Sequence, residues 1–199
     1  MSRIIYSMAL VAFCLLGGCG YHLAGGTHAS SLIAGKTIAI PMWSNKTYRP
    51  NLEAILTDSL VNEFALRNGG MVVSEDAAEL VLTGTIVSYT TVAASYKVGR
   101  EVDESGKIVP VEKVREYRKT MKVDATLTEK RSEKVLWKGT LSEFQDYPSR
   151  INTEDPNSNG LQPENPNSIA LQQNSDDAAL REICRKIAQQ LFQNMSENF

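Results

Sequence analysis

The chain has 199 residues, 42% of them apolar, with 21 Lys and Arg against 23 Asp and Glu and a formal charge of −2. That length holds one domain with a core of its own, and the mild acidity excludes nucleic acid as the main partner. Two of the three cysteines, Cys14 and Cys19, fall at the N-terminal leader, which excludes a disulfide framework.

Arg3 is the only charge before an uncharged run from Ile4 to Leu16. A signal-peptide core takes roughly 7–15 residues and a bilayer span about 20, so this run suits the first. Leu16-Gly17-Gly18-Cys19 then resembles the bacterial lipobox. On that reading residues 1–18 are removed as a signal peptide, and Cys19 becomes the first residue, acylated on its sulfur and its amine. Each buried CH₂ contributes about 0.8 kcal/mol, and stable anchoring takes more than one acyl chain. Gly20, where Asp would hold the protein at the inner membrane, sends it to the outer one. The mature chain has 181 residues, a charge of −3 and one thiol, Cys184, expected in the core.

Cys19 to Gly35 reads as a lipidated tether. Its His22 and His28 have no Cys, Asp or Glu set beside them, so no metal site is expected and no cofactor is implied. Residues 36–199 read as a single domain. From Lys36 to Met42, Ile38, Ile40 and Met42 alternate as a first strand, with Pro41 marking its end or an edge. Trp43 to Pro50 is a polar turn that includes Asn45-Lys46-Thr47, a glycosylation-type triplet without weight behind a bacterial leader. Asn51 caps a helix whose Leu52, Ile55, Leu56, Ser59, Leu60 and Phe64 share one face, and Gly69-Gly70 stops it. Its outer face is acidic and suits solvent rather than anionic lipid.

A second strand alternates Leu80, Leu82, Gly84 and Ile86 inward and runs on to Val92. A charged turn is expected from about Lys97 to Pro110. The third strand points Met121, Val123, Ala125 and Leu127 one way, and a fourth, Val135 to Phe144, groups Val135, Trp137, Gly139 and Leu141. Asp146 to Asn174 is an Asn- and Pro-rich loop, longer than the roughly 12–15 residues usual for unstructured connections. Ser175 then caps a last helix with Asp176 and Asp177 in its first turn and an apolar stripe from Leu180 to Met195. The order β-α-β-β-β-α predicts an α+β, two-layer sandwich: a four-stranded mixed sheet with both helices on one face, and a right-handed crossover setting strand one parallel to strand two.

Catalytic signatures are missing. The chain has no Gly-x-Ser-x-Gly elbow, phosphate loop, dinucleotide fingerprint or zinc spacing, and both mature histidines lie in the tether, so an enzyme is not expected. Charge is distributed unevenly instead. Lys97 to Lys122 holds eight basic residues against five acidic, and Glu143 to Glu182 eight acidic against two basic. Solvated hairpin charge explains this as well as a basic edge that meets a phosphorylated glycolipid does.

Four segments carry a family resemblance: Gly18-Cys19-Gly20-Tyr21-His22-Leu23; Ile38 to Thr47; Glu116-Tyr117-Arg118 to Thr126-Leu127; and Leu136-Trp137-Lys138-Gly139 with Phe144 after it. In that order they resemble the LptE family of lipopolysaccharide-assembly lipoproteins across nearly the whole mature chain. The resemblance implies a lipid-anchored domain on the periplasmic side of the outer membrane, seated as a plug in the β-barrel LptD. It implies help in assembling that barrel, and contact with lipopolysaccharide on its way to the outer leaflet. Basic residues near a hairpin tip are implied to meet the glycolipid, which here gives Lys97, Arg100 and Lys107. An alternative comes from outer-membrane lipoproteins that regulate a peptidoglycan synthase or build a secretion pore, which share the Asn-Lys-Thr and Leu-Thr-Gly-Thr segments.

Overall fold

In the computed structural model the described residues are 32–67, 72–149 and 166–196. The leader, Cys19, both histidines, Gly69-Gly70 and residues 150–165 of the Asn/Pro-rich stretch lie outside them. The elements are β1 (Ile38–Ala39), β2 (Ser44–Asn45), α1 (Leu52–Arg67), a 3₁₀ turn (Glu75–Ala77), β3 (Leu80–Val102), β4 (Ile108–Glu129), β5 (Lys134–Pro148) and α2 (Pro166–Ser196).

The class is the expected one, an α+β fold with a mixed sheet and two helices. The sheet order is β1-β3-β4-β5, with β2 also on β3, so it has five strands rather than four. The first expected strand is split in two. Pro41 has no N–H to give a ladder, and the Trp43 N–H turns to the Thr57 hydroxyl of α1, 3.2 Å away. Met42 therefore does not follow Ile38 and Ile40 into the core but is 65% exposed. Both short strands run parallel to β3, as a crossover through α1 requires.

The break lets Trp43 lie across Gly84. A Cβ built on Gly84 would stand 2.5 Å from the indole, so only glycine fits beneath it. The same device recurs on β5, where a Cβ on Gly139 would meet the Trp137 ring at 2.6 Å. Alternation then builds the core. Leu82, Ile86, Met121, Val123, Ala125 and Leu127 are buried under Leu52, Leu56, Leu60 and Phe64 of α1 and Leu180, Ile183, Ile187 and Leu191 of α2. Phe64 meets Phe192 edge-on with ring centroids 5.3 Å apart, which locks the helices together.

Three further expectations change. Leu127 faces Trp137 while Thr128 faces Val135, so Leu136 is an extra bulged residue and Val135 leaves the Trp137 face to become 53% exposed. The charged stretch 97–110 is not a turn: both strands continue through it, and only Asp103 to Lys107 turns the chain. Finally, α2 does not begin at Ser175. It opens at Pro166, a residue suited to a first helical position, and Ser175 sits inside it with its hydroxyl bonded to the Leu171 carbonyl. Asp176 and Asp177 are thus mid-helix, and of the expected loop Asp146–Asn174 the strand takes Asp146–Pro148 and the helix Pro166–Asn174.

Candidate functional site

β5 reaches only as far as Glu116 on β4, so beyond it β3 and β4 run on as a two-stranded ribbon. Seven paired rows, from Tyr96↔Val114 to Val102↔Ile108, carry it roughly 25 Å outward at about 3.4 Å per residue. Pro110 is tolerated because β4 is an edge strand here. At the tip the Asp103 carboxylate accepts the Ser105 N–H (2.9 Å), the Ser105 hydroxyl (2.6 Å) and the Lys107 N–H (2.9 Å). These bonds, that from Ser105 foremost, hold its pKa below the usual carboxylate value. Gly106 supplies the positive φ of 81° that closes the turn.

The three predicted glycolipid residues lie on this ribbon without converging. Lys97 and Arg100 are three residues apart on one strand with no bulge between them, so they face opposite sides. Lys97 stands across from Lys113, and Arg100 across from Pro110. Lys107 is at the tip. Arg100 is exposed in the company of Tyr96 (60% exposed), Val98 (74%) and Val102 (61%), so a cation here projects from an apolar strip. Among the described residues neither Arg100 nor Lys107 has a carboxylate within ion-pair distance.

At the base of the ribbon lies a polar cluster that sequence reasoning missed. Lys119 sits on the inner face of β4, its side chain only 2% exposed, and pairs with Asp176 of α2. The Asp176 carboxylate also accepts Arg49 Nη1 at 2.8 Å and the Tyr147 hydroxyl at 2.9 Å, while Arg49 Nη2 reaches Asp177 at 3.2 Å. The Lys119 ammonium lies 5.2 Å from the ring centroids of both Tyr89 and Tyr147, held between two π faces. Burial acts on the titration of each of these groups. It pushes the Tyr89 hydroxyl up to about 12 and lowers Lys119, against the pull of Asp176. Burial would raise Asp176 too, but hydrogen bonds from Lys119, Arg49 and Tyr147 outweigh it and hold the carboxyl down. The two ends of the pair differ because Asp176 has three donors and Lys119 has one carboxylate.

Arg49 is placed by Asn45. The Asn45 amide donates to the Arg49 carbonyl (2.7 Å) and to Glu53 (2.8 Å), and its oxygen accepts the Thr47 N–H (2.9 Å) and hydroxyl (2.8 Å). The Asn-Lys-Thr triplet is therefore a turn device that aims Arg49 across the sheet edge at the last helix. Chemically the cluster is a clamp: both oxygens of Asp176 are engaged, and no nucleophile stands free beside a base. Among the described residues no group of three or more His, Cys, Asp or Glu is placed to hold a metal, and no helix is long and apolar enough to cross a membrane. The signal for Lys119 was present in its spacing, since it lies two residues before Met121 on the same alternation.

A family model described as lipopolysaccharide-assembly, LptE, matches residues 35–195. No curated protein matches the chain. Among solved structures, the rare lipoprotein B from Shewanella oneidensis is 18% identical, with 79% of this chain and 92% of that one covered at a TM-score of 0.44. A minor lipoprotein from Acinetobacter baumannii is 13% identical over 82% and 92% of the two chains, at 0.39. A PelC dodecamer subunit from Paraburkholderia phytofirmans is 19% identical over 55% and 73%, at 0.38. The family match spans most of the chain, and the protein belongs to the LptE family, a non-enzymatic family of lipopolysaccharide-assembly lipoproteins.

Proposed function

We infer that this member of the lipopolysaccharide-assembly family is anchored in the outer membrane through acylated Cys19 after loss of residues 1–18. The residues after Cys19 are its tether up to Leu32 and Ile33, which already pack on the core, and the domain that follows is the plug of the LptD β-barrel. In that place it assists assembly of the barrel and the passage of lipopolysaccharide to the outer leaflet. The observation that carries the reading is the family match from residue 35 to 195, which takes in every described strand and nearly all of α2.

The fold supports a division of labour for this role. The ribbon extends from the clamped domain as a narrow arm that bears cations on apolar ground. Lys97, Arg100 and Lys107 are proposed as its glycolipid contacts, with Arg100 and Lys107 the stronger pair because no carboxylate among the described residues engages them. Charge-assisted bonds to phosphate suit such groups.

Two measurements test the reading. Full-length lipidated protein, tagged and extracted from outer membranes in detergent, is expected to retain LptD. Retention of a peptidoglycan synthase in its place, or of a ring of self-copies, overturns the plug. Arg100→Glu combined with Lys107→Glu is expected to weaken lipopolysaccharide binding at least about tenfold, the effect of replacing attraction by repulsion at two phosphate contacts. Unchanged binding removes these residues from the site.

A further inference from the structure

At the root of the ribbon the β3–β4 ladder is interrupted twice. Ala93 faces Tyr117 and Ser95 faces Glu116, so Ala94 is an extra residue on β3. Tyr96 then faces Val114, so Arg115 is an extra residue on β4. A single bulge shifts every pair beyond it. Here the second cancels the first, and Tyr96 to Val102 pair in the register already held by Ser88 to Ala93. What the two bulges leave behind is therefore local: a bend, and two residues without a facing partner. Only the row of Ser95 and Glu116, joined by a side-chain bond of 2.9 Å, lies between them.

The grip of the domain lies immediately below this point. On the helix side Tyr117 stacks on Tyr147, with ring centroids 5.7 Å apart and planes at 28°. The Tyr147 hydroxyl donates to Asp176 of α2, and Lys119 pairs with the same carboxylate between the Tyr89 and Tyr147 rings. The Arg49 guanidinium, 5.4 Å from the Tyr89 ring centroid, adds the turn before α1. On the other face Arg118 and Asp146 close through bonds of 2.7 and 2.8 Å, with Arg118 4.4 Å from the Phe144 ring centroid. Thus β3 is held through Tyr89, β4 through Tyr117 and Lys119, and β5 through Tyr147, just short of the bulges.

A ladder broken on both strands within a few residues yields there before it yields in its regular stretches. A buried ion pair adds little stability over apolar side chains of its own volume, but it admits few arrangements. We propose that the paired bulges are a hinge on which the ribbon swings as one arm, and that the clamp of Lys119, Asp176 and the tyrosines is the latch that sets its angle. Seven rows reach roughly 25 Å, so a tilt of about 20° at the hinge carries the tip, and Lys107 with it, about 9 Å. The device is a property of this chain alone and needs neither the barrel nor the glycolipid.

Pulsed electron–electron distance measurement on the full-length, lipidated protein in detergent tests it. One nitroxide is placed at Val102→Cys on the ribbon and one at Ala54→Cys on α1, both exposed positions, while Cys184 is buried and takes no label. A reference pair, Ala54→Cys with Ser142→Cys, lies within the domain. Lys119→Met removes the charge and is expected to widen the ribbon distance distribution at least about twofold, as a freed hinge would, with the reference distribution unchanged. An unchanged ribbon distribution overturns the latch, and a reference distribution that widens equally shows a loosened core and overturns it as well. Deleting Ala94 and Arg115 together makes the ladder continuous without changing its register. In that background Lys119→Met is expected to leave the ribbon distribution narrow, and widening that persists overturns the hinge. If Lys119→Met does not fold, Tyr147→Phe, which loses only the bond to Asp176, is read by the same criteria.

Discussion

The β3–β4 hairpin is one continuous pair of strands with two physical lives. Up to Tyr89 and Lys119 it lies under the helices: Leu80, Leu82, Ile86, Met121, Val123 and Leu127 are buried, and Lys119 is clamped beside Tyr89. Beyond Ser95 and Glu116 no third strand lies beside it among the described residues, and Val98, Val102 and Ile108 stand 74%, 61% and 63% exposed. Two bulges, between Ala93 and Ser95 and between Ser95 and Tyr96, mark the junction. The comparison teaches that the same backbone pairing is stabilising only where something covers it. Substitutions in the covered half are expected to cost the fold, and substitutions in the projecting half to cost binding alone.

The largest effect is expected at the clamp. Asp176→Ala leaves Lys119 buried without its carboxylate, and stranding one member of a buried pair costs about 3–5 kcal/mol. Denaturant unfolding of the variant measures this, and a loss under about 1 kcal/mol would show that Arg49 and the tyrosines hold Lys119 without Asp176. The pH dependence follows from the sign of the shift. Asp176 has a folded pKa held below the ordinary value, so its contribution is full above the unfolded pKa of about 3.9 and is lost as pH falls through the folded one. The stability gap between the natural protein and Asp176→Asn should therefore narrow below about pH 4 and stay constant from there to neutrality.

Next is the covered half of β3. Gly84→Ala drives a methyl to 2.5 Å from the Trp43 ring, and both the backbone beneath and the helix above resist movement. Overpacking of this kind costs about 1–3 kcal/mol, and the upper end is expected because the indole has buried neighbours. Trp43→Leu in the same chain should recover part of the loss by making room, which separates a steric effect from a change in strand propensity.

How much of this was legible in the chain depends on distance along it. The inward registers of β3 and β4 could be read because alternation is local: Leu82, Gly84 and Ile86 announce one another. The parity flip at Leu136 could not, since a bulge inserts a residue without a sequence signature. Nor could the clamp, whose Arg49 and Asp176 stand 127 positions apart. The ribbon has the sequence of a turn because Gly99, Asp103, Gly106 and Pro110 are turn-type residues, and only an edge position makes Pro110 compatible with a strand. The lipid anchor and residues 19–31 of the tether lie outside the described residues and stay proposals, whereas its last residues belong to the domain: the Leu32 N–H bonds the Met195 carbonyl at 3.0 Å and Ile33 is buried in the core.

Asn45→Ala should act at an intermediate level. It removes four hydrogen bonds at once from a half-buried turn, yet water can reach some of the freed groups, so a loss of about 2 kcal/mol is expected. Its particular signature is at a distance: Arg49 loses its aim, and amide exchange on α2 near Asp176 should quicken. If α2 is unaffected, Arg49 finds Asp176 without help, and the triplet serves only its own turn.

The smallest effect is expected at the tip, and its location tests the comparison itself. Gly106 holds a φ of 81°, where an L side chain is strained, so Gly106→Ala costs about 1 kcal/mol locally. If the ribbon opens independently of the clamped domain, that cost falls on local opening, because parts of a protein with little buried apolar contact unfold with free energies well below the global one. Amide exchange at Val102 and Ile108 should then quicken about fivefold, while the melting temperature of the whole protein stays unchanged. A matching drop in global stability would mean that the ribbon unfolds together with the domain. The hairpin would then be one cooperative unit, and the exposed Val98 and Val102 would belong to the fold as much as Leu82 does.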